Sequence, residues 1–233
     1  MNPPAWTPEH GTLILQAVGG SRAYGLETAT SDWDWRGVYV ADPKLVFSLN
    51  GPPHYVEKAE PDVHYWEIQH FLKYALAGNP TCLELLWSKQ LLSHWWGSRL
   101  LDIRDAFISK NCIKAYEGFA TAQWARLQKV EGEWGPKEHK LYMHMCRLML
   151  SLRNILLGDG PLVEVGGWAP LLTKVRNGGL PSREFISLHQ GLLTGINRMG
   201  ADSLPKKPQY QTAEDFLLWV RLAAAKKGFA LHE

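Results

Sequence analysis

The chain has 233 residues, 45% of them hydrophobic, and 25 basic against 23 acidic side chains leave a formal net charge of +2. That length holds one large domain or two small ones with their own cores. No apolar run approaches the roughly 20 residues of a membrane span, and the near-neutral balance lacks the strongly basic signature of a dedicated nucleic-acid binder while leaving room for a local patch. The polar, Pro-rich residues 1–11 carry no basic-then-apolar leader pattern, so a cytoplasmic, unprocessed protein without membrane association is expected. Cys82, Cys112 and Cys146 are odd in number and stand outside any CxxC pair, which predicts buried thiols rather than a disulfide framework or zinc ribbon. Eleven tryptophans read first as core and interface filler and only second as stacking platforms for nucleobases.

Taken in order, residues 12–18 (TLILQAV) are a short apolar run stopped by Gly19-Gly20, which suits a buried strand. Residues 21–31 are small and polar, as in a turn with a short helix. Residues 32–41 (DWDWRGVYVA) predict a second strand, residues 50–54 (NGPPH) a break, and residues 62–66 (DVHYW) a third strand. The spacing of Ile68, Phe71, Leu72, Ala75 and Leu76 predicts a helix over 67–77. Gly78-Asn79-Pro80 ends it, and Thr81 with Glu84 three residues on reads as the capping box of a further helix to about residue 88. Beyond residue 95 helical spacing dominates, with helices expected over 97–108, 110–130, 138–157, 182–199 and 212–227 and turns between them. The expected organisation is an α+β chain, with a catalytic core over 1–95 and a helical C-terminal region over 96–233.

Chemistry concentrates near residue 30. Side chains two apart on a strand share a face, so Asp32 and Asp34 are expected to project together while Trp33 and Trp35 turn the other way. Adjacent carboxylates repel unless a cation lies between them, and such hard oxygen donors suit Mg²⁺. Eleven residues before Asp32, Gly20-Ser21 closes the first strand; glycine permits close backbone approach, and backbone N–H groups with a serine hydroxyl suit a phosphate. Asp62 is a plausible third carboxylate, with Glu57, Glu60 and Glu67 as rivals. Three carboxylates serve two metal-linked roles, holding a triphosphate and activating a hydroxyl. Arg22 and Arg36 flank this clamp within reach of phosphate, Arg36 being as well placed for ion pairing.

At these residues the chain resembles the DNA polymerase β-like nucleotidyltransferase superfamily, whose pattern is Gly-Ser, roughly a dozen residues, Asp-x-Asp, and a distant third Asp. It resembles more closely a branch of bacterial and phage nucleotidyltransferases linked to RNA repair. The shared stretches are GSRAYG (20–25), SDWDWRGV (31–38), Asp62, a His-Phe-Leu-Lys helix segment (70–73), and GNPTCLELL (78–86), continuing into Lys140, His144, Arg147 and Leu148. His70 departs from the basic residue usual there. The resemblance implies a mixed β-sheet catalytic core followed by helices, two Mg²⁺ or Mn²⁺ ions, an NTP or dNTP donor and pyrophosphate release. It leaves the acceptor open, an RNA end among the candidates.

Lys137, Lys140, His144 and Arg147 follow i, i+3, i+7, i+10 and share one helical stripe. Beside a metal cleft such a cationic stripe is expected to bind the triphosphate tail or an acceptor phosphate; the plainer reading is a solvated face. Metal sites are thus expected at Asp32, Asp34 and Asp62, and nucleotide contacts at Gly20, Ser21, Arg22, Lys140, His144 and Arg147. The rival from another class is a non-catalytic nucleotide or nucleic-acid binding module on the same fold. A sugar-nucleotide glycosyltransferase also uses Asp-x-Asp, but has no need of Gly-Ser upstream.

Overall fold

The computed structural model describes residues 3–179 and 203–229, with isolated positions between 184 and 195. The first apolar run forms strand β1 (Gly11–Val18), and a five-residue helix, α1 (Gly20–Tyr24), follows. Strand β2 (Trp35–Ala41) returns antiparallel to β1 with Trp35 opposite Val18. Helix α2 (Pro43–Val46) and edge strand β3 (Tyr55–Lys58) lead to β4 (Val63–Glu67), which lies parallel to β2 with Val63 beside Trp35. After α3 (Ile68–Leu76) and α4 (Pro80–Trp87), β5 (Gln90–Ser93) adds to the free edge of β1. The result is a mixed sheet in the order β3–β4–β2–β1–β5.

Strand alternation sorts this sheet into two packed faces. Trp35, Tyr39, Val63 and Tyr65 point to one face and form a small core with Leu13 and Ala41, covered by Trp6 and Val46. Leu15, Ala17, Val38, Val40 and Trp66 point to the other face and join the main core. Gly37 lets the strands pack closely, because a Cβ there would meet Leu15 O at 2.6 Å and the Tyr65 ring at 2.9 Å.

The second half supplies α5 (Trp95–Asp102), α6 (Lys110–Leu127), α7 (Pro136–Leu156), α8 (Ala169–Arg176) and α9 (Tyr210–Phe229). The main apolar cluster takes residues from both sides of residue 95, running from Ile14 of β1 to Ala224 of α9. The three cysteines are free and buried, as their spacing predicts. Among the described residues, no helix is long and apolar enough to cross a membrane.

Several elements depart from expectation. The helix expected over 97–108 breaks into α5 and a single 3-10 turn, Arg104–Phe107. β3 and β5 have four residues each, too few for a period-2 pattern to register, and α8 was likewise not anticipated. The helix expected over 182–199 lies outside the described residues, apart from isolated positions. Thr81 is not the cap of α4: Asn79 is, its side chain accepting from Thr81 N and Cys82 N at 3.0 and 3.2 Å. Pro80 explains the shift, since a proline fits the first helical position and moves the cap one residue earlier.

Glu84, freed from capping, turns inward. It is buried and accepts from Arg147 Nη1 of α7 at 2.7 Å and from the Tyr24 hydroxyl at 3.1 Å. This ion pair ties α1, α4 and α7 together below solvent. Removing one partner of a buried pair strands the other charge, at a cost of about 3–5 kcal/mol. Arg147→Ala is therefore expected to lower stability by that amount in urea unfolding. A Glu84→Leu/Arg147→Met double variant, which removes both charges, is expected to recover most of the loss.

Candidate active site

Three segments meet at one end of the sheet because of how its central strands pair. β1 ends where antiparallel β2 begins, and parallel β4 begins there too. Gly19 N donates to Asp34 O at 2.7 Å, and Trp35 N donates to Asp62 O at 2.7 Å. Asp34 and Asp62 thus sit side by side just ahead of their strands, both against the Arg36 guanidinium and close enough to shift each other's proton affinity. Burial raises the Asp34 carboxyl above its ordinary pKa, and the contact with Asp62 raises it further. Asp62 moves the other way: it is held below the usual carboxylate range chiefly by Arg36, whose Nη1 and Nη2 each donate to it at 3.0 Å. The same guanidinium lies 3.7 Å from Asp34 Oδ1. The register brings Arg36 here, since it lies two residues after Asp34 and pairs across to His64, two residues after Asp62.

The Gly19-Gly20 turn closes over the pair. Gly20 has φ +61°, in the left-handed region, and a Cβ there would fall on Asp34 Oδ2. Only glycine gives both the conformation and the close approach. Ser21 is half-buried beside it and its carbonyl accepts from Leu26 N at 2.9 Å, curling the chain into the loop that leads to β2.

Residues 32–34 do not belong to the strand, which starts at Trp35. The cause is Arg22, which donates to Ser31 O at 2.8 Å and Asp32 O at 3.2 Å and lies 4.3 Å over the Trp33 ring. The loop is thereby held against α1, off the β ladder. Trp33 and Trp35 still turn to the same side and stack at 5.6 Å. Arg22 is thus engaged with its own loop. Asp32 is exposed, and its charge raises the Asp34 carboxyl, but among the described residues no three acidic or imidazole side chains already converge on one point.

A cavity of about 290 Å³ opens on the Asp34 side, walled by Ser21, Thr28, Thr30, Ser31, Asp32 and Asp34 and by Lys140, Met143, His144 and Arg176 from the helices. The expected cationic stripe only partly faces it. Lys140 is exposed and lines it. His144 lines it as well, but burial, reinforced by Arg147, Lys140 and Arg176, lowers its pKa to about 4, so it is a neutral imidazole at pH 7. Arg147 has left the stripe: it is 4% exposed, paired to Glu84, with its guanidinium 3.7 Å over the Tyr24 ring. The physical reason is that α7 runs from solvent into the core, so a stripe that starts exposed at Lys137 ends buried. Arg176 of α8, which sequence reasoning missed, supplies the second cation; its Nη1 donates to Leu26 O at 2.8 Å. No local pattern marked it, because α8 itself carried no motif.

Asp62 lines a separate groove of about 420 Å³ with Arg36, Glu57, Lys58, His64, Trp66 and Thr81. A smaller cavity of about 200 Å³ beneath the turn joins Gly19, Gly20, Tyr24, Asp34, Arg36 and Glu84.

A mixed sheet presenting paired aspartates at its strand starts, beneath a glycine turn and backed by helices, is the arrangement of a polymerase-β-like nucleotidyltransferase core. The chain belongs to the RNA repair pathway DNA polymerase beta family, whose model matches residues 5–178. It is also similar to the uncharacterized protein YcgL of Bacillus subtilis (strain 168), at 28% identity over 156 residues, 64% of this chain and 50% of the relative. The chain therefore spans about half the length of the curated relative it matches. No solved structure gives a significant match to it.

Two outcomes follow from this geometry. Gly20→Ala is expected to cost on the order of 1–3 kcal/mol in thermal or urea unfolding and to abolish nucleotide binding in calorimetry, because the added methyl displaces Asp34. His144 binds its proton more weakly folded than unfolded, so stability is expected to be full above pH ~6.5 and to fall on the order of 2–3 kcal/mol toward pH 4. His144→Gln should flatten that part of the urea-midpoint profile.

Proposed function

We propose that this chain transfers a nucleoside monophosphate from an NTP or dNTP to an acceptor hydroxyl, releasing pyrophosphate. What carries the reading is the enforced contact of Asp34 and Asp62 beneath the Gly20 turn, with a hydroxyl- and cation-lined cavity on one side. Two carboxyls built against each other, one with its proton affinity raised, fit a divalent cation as the missing counter-charge. Asp34 and Asp62 would hold Mg²⁺ or Mn²⁺, with exposed Asp32 drawn in to complete the set for two ions. Bound there, the metal supplies neutralisation of phosphate charge and activation of a hydroxyl.

The chain's own residues do the rest. Gly20 and Ser21 approach the triphosphate through backbone N–H groups and the serine hydroxyl. Thr28, Thr30 and Ser31 offer further hydroxyl donors across the cavity, and Lys140 and Arg176 offset the triphosphate charge from the helical side. His144, neutral, acts as a hydrogen-bond partner rather than a cation. Arg147 acts indirectly, holding Tyr24 and with it the α1 turn. Arg22 likewise shapes the loop that carries Asp32 and Asp34. In the transfer step the acceptor oxygen forms a bond to the α-phosphorus as the bond to the bridging oxygen of the β-phosphate breaks. Pyrophosphate leaves, and Asp62, kept ionised by Arg36, takes the hydroxyl proton. The family's place in RNA repair favours an RNA end as the acceptor.

The test is incubation with each α-labelled NTP and dNTP, with Mg²⁺ or Mn²⁺, and with RNA, DNA and protein acceptors. Label is expected to move to one acceptor class, Asp34→Asn to abolish it, and Asp62→Asn to slow it about a hundredfold or more. Metal-dependent nucleotide binding with no pyrophosphate release from any acceptor would instead establish a non-catalytic binding module.

A further inference from the structure

Away from the site, α9 carries a face that the chemistry above does not use. Its inner side is fixed to the fold. Ala213, Phe216, Val220 and Ala224 are buried in the main core, and Arg221 Nη2 lies 2.8 Å from Oε1 of the fully buried Glu67. Gln211, Asp215, Leu218, Trp219, Leu222 and Lys226 follow i, i+4, i+7, i+8, i+11 and i+15, which is one stripe along the opposite side. Between Gln211 and Lys226 every exposed residue of the helix falls on that stripe. Its centre is apolar: Leu218 is 52% exposed, Trp219 37% and Leu222 64%. Trp95 of α5 widens it, 56% exposed and edge-on to Trp219 at 5.3 Å. Scattered surface apolar residues need no account, but two tryptophans and two leucines grouped in one place mark a contact surface.

The charges at its two ends say what that surface contacts. Asp215 and Lys226 flank the apolar centre, the acid toward the start of the helix and the base toward its end. A two-fold axis passing between Val220 and Arg221 lays a second α9 antiparallel on the first. Asp215 lies as far before that point as Lys226 lies after it, and Trp219 as far before it as Leu222 after. Asp215 therefore meets the partner's Lys226 and Trp219 meets the partner's Leu222, and the symmetry makes each pair twice. Parallel packing would instead set acid on acid and base on base. The spacing of the stripe suits two helices crossing at a shallow angle, with the side chains of one in the gaps of the other. A groove of about 440 Å³ between α5 and α9, lined by Arg99, Asp102, Ile103, Phe216 and Trp219, adjoins the half of the helix that the partner's Leu222 and Lys226 reach. An unrelated protein would have no need of a charge pattern that is its own complement.

We propose that α9 is the centre of a symmetric dimer interface, with a second copy of this chain packed antiparallel along the stripe, Trp219 against Leu222 and Asp215 against Lys226. This stands independently of the nucleotidyltransferase reading. The test is the mass of the full chain in solution, measured by sedimentation velocity over a wide concentration range. Wild type is expected to pass from monomer to dimer as concentration rises. Leu222→Asp should weaken dimerisation about a hundredfold or more, from the loss of a central apolar contact. Because the residue is exposed, that variant should keep the circular dichroism of wild type. Asp215→Lys and Lys226→Asp should each weaken dimerisation about tenfold or more, by setting like charges face to face. Mixed in equal amounts, these two single variants are expected to form a heterodimer about as tight as the wild-type dimer, because both cross-interface pairs are then opposite in sign. A wild type that is monomeric throughout would leave the stripe to a different occupant and overturn the inference. So would a Leu222→Asp variant that dimerises as wild type does, or a mixture of the two charge variants no more associated than either alone.

Discussion

Everything at the candidate site depends on forcing two carboxylates together. Asp34 and Asp62 are far apart in sequence, and left to themselves they repel. Backbone pairing supplies the force. Parallel β2 and β4 start at the same end of the sheet, and the bond from Trp35 N to Asp62 O locks their register just where the two aspartates sit. Antiparallel β1 delivers the Gly19-Gly20 turn to that same end. Arg36 is what makes the contact tolerable, because its guanidinium bridges both acids. The site is thus built with a cation already in place.

The helical half acts on this site mainly through what it buries. Glu84, Arg147 and Tyr24 form a chain of contacts from α4 through α7 to α1, so the turn above the aspartates is held from within. A buried ion pair contributes little net stability relative to an apolar substitute, yet it fixes geometry, because each charge admits few arrangements. Exposed Lys140 and half-buried Arg176 then reach over the loop of residues 26–34 from the helical side. One helix face therefore serves two purposes along its length, offering charge to solvent at one end and bracing the turn at the other.

The two faces of the sheet divide the remaining labour. One is an apolar core sealed by Trp6 and Val46. The other carries Arg36 of β2 and His64 and Trp66 of β4, with Asp34 and Asp62 just ahead of those strands, before it disappears under α3 and α4. Trp35, Trp66 and Trp96 are buried, and Trp6, Trp33, Trp87, Trp124 and Trp134 pack partly buried against the cores. Trp66 also forms the floor of the groove beside Asp62.

Much of this was legible in the sequence. The run of residues 12–18, the glycines that end it and the Asp-x-Asp pattern were local signals, because strand length, turn chemistry and carboxylate spacing are decided by near neighbours. Asp62 was legible as a third acid, although its partner was Asp34 alone rather than an equal trio with Asp32. What the chain could not reveal was long-range. Arg147 looked like a surface cation because helical spacing gives a direction around the axis, not the depth at which that direction meets a neighbour. Glu84 looked like a cap for the same reason, and only the approach of α7 turned it into a buried partner. Arg176, β3 and β5 had no periodicity of their own, and their roles came from what they pack against. By itself, the sequence determined the chemistry of the two-carboxylate turn, since that rests on residue type and short spacing. The tertiary structure alone decided which charges face a ligand, because exposure and pKa follow from burial and from partners that sequence separation conceals.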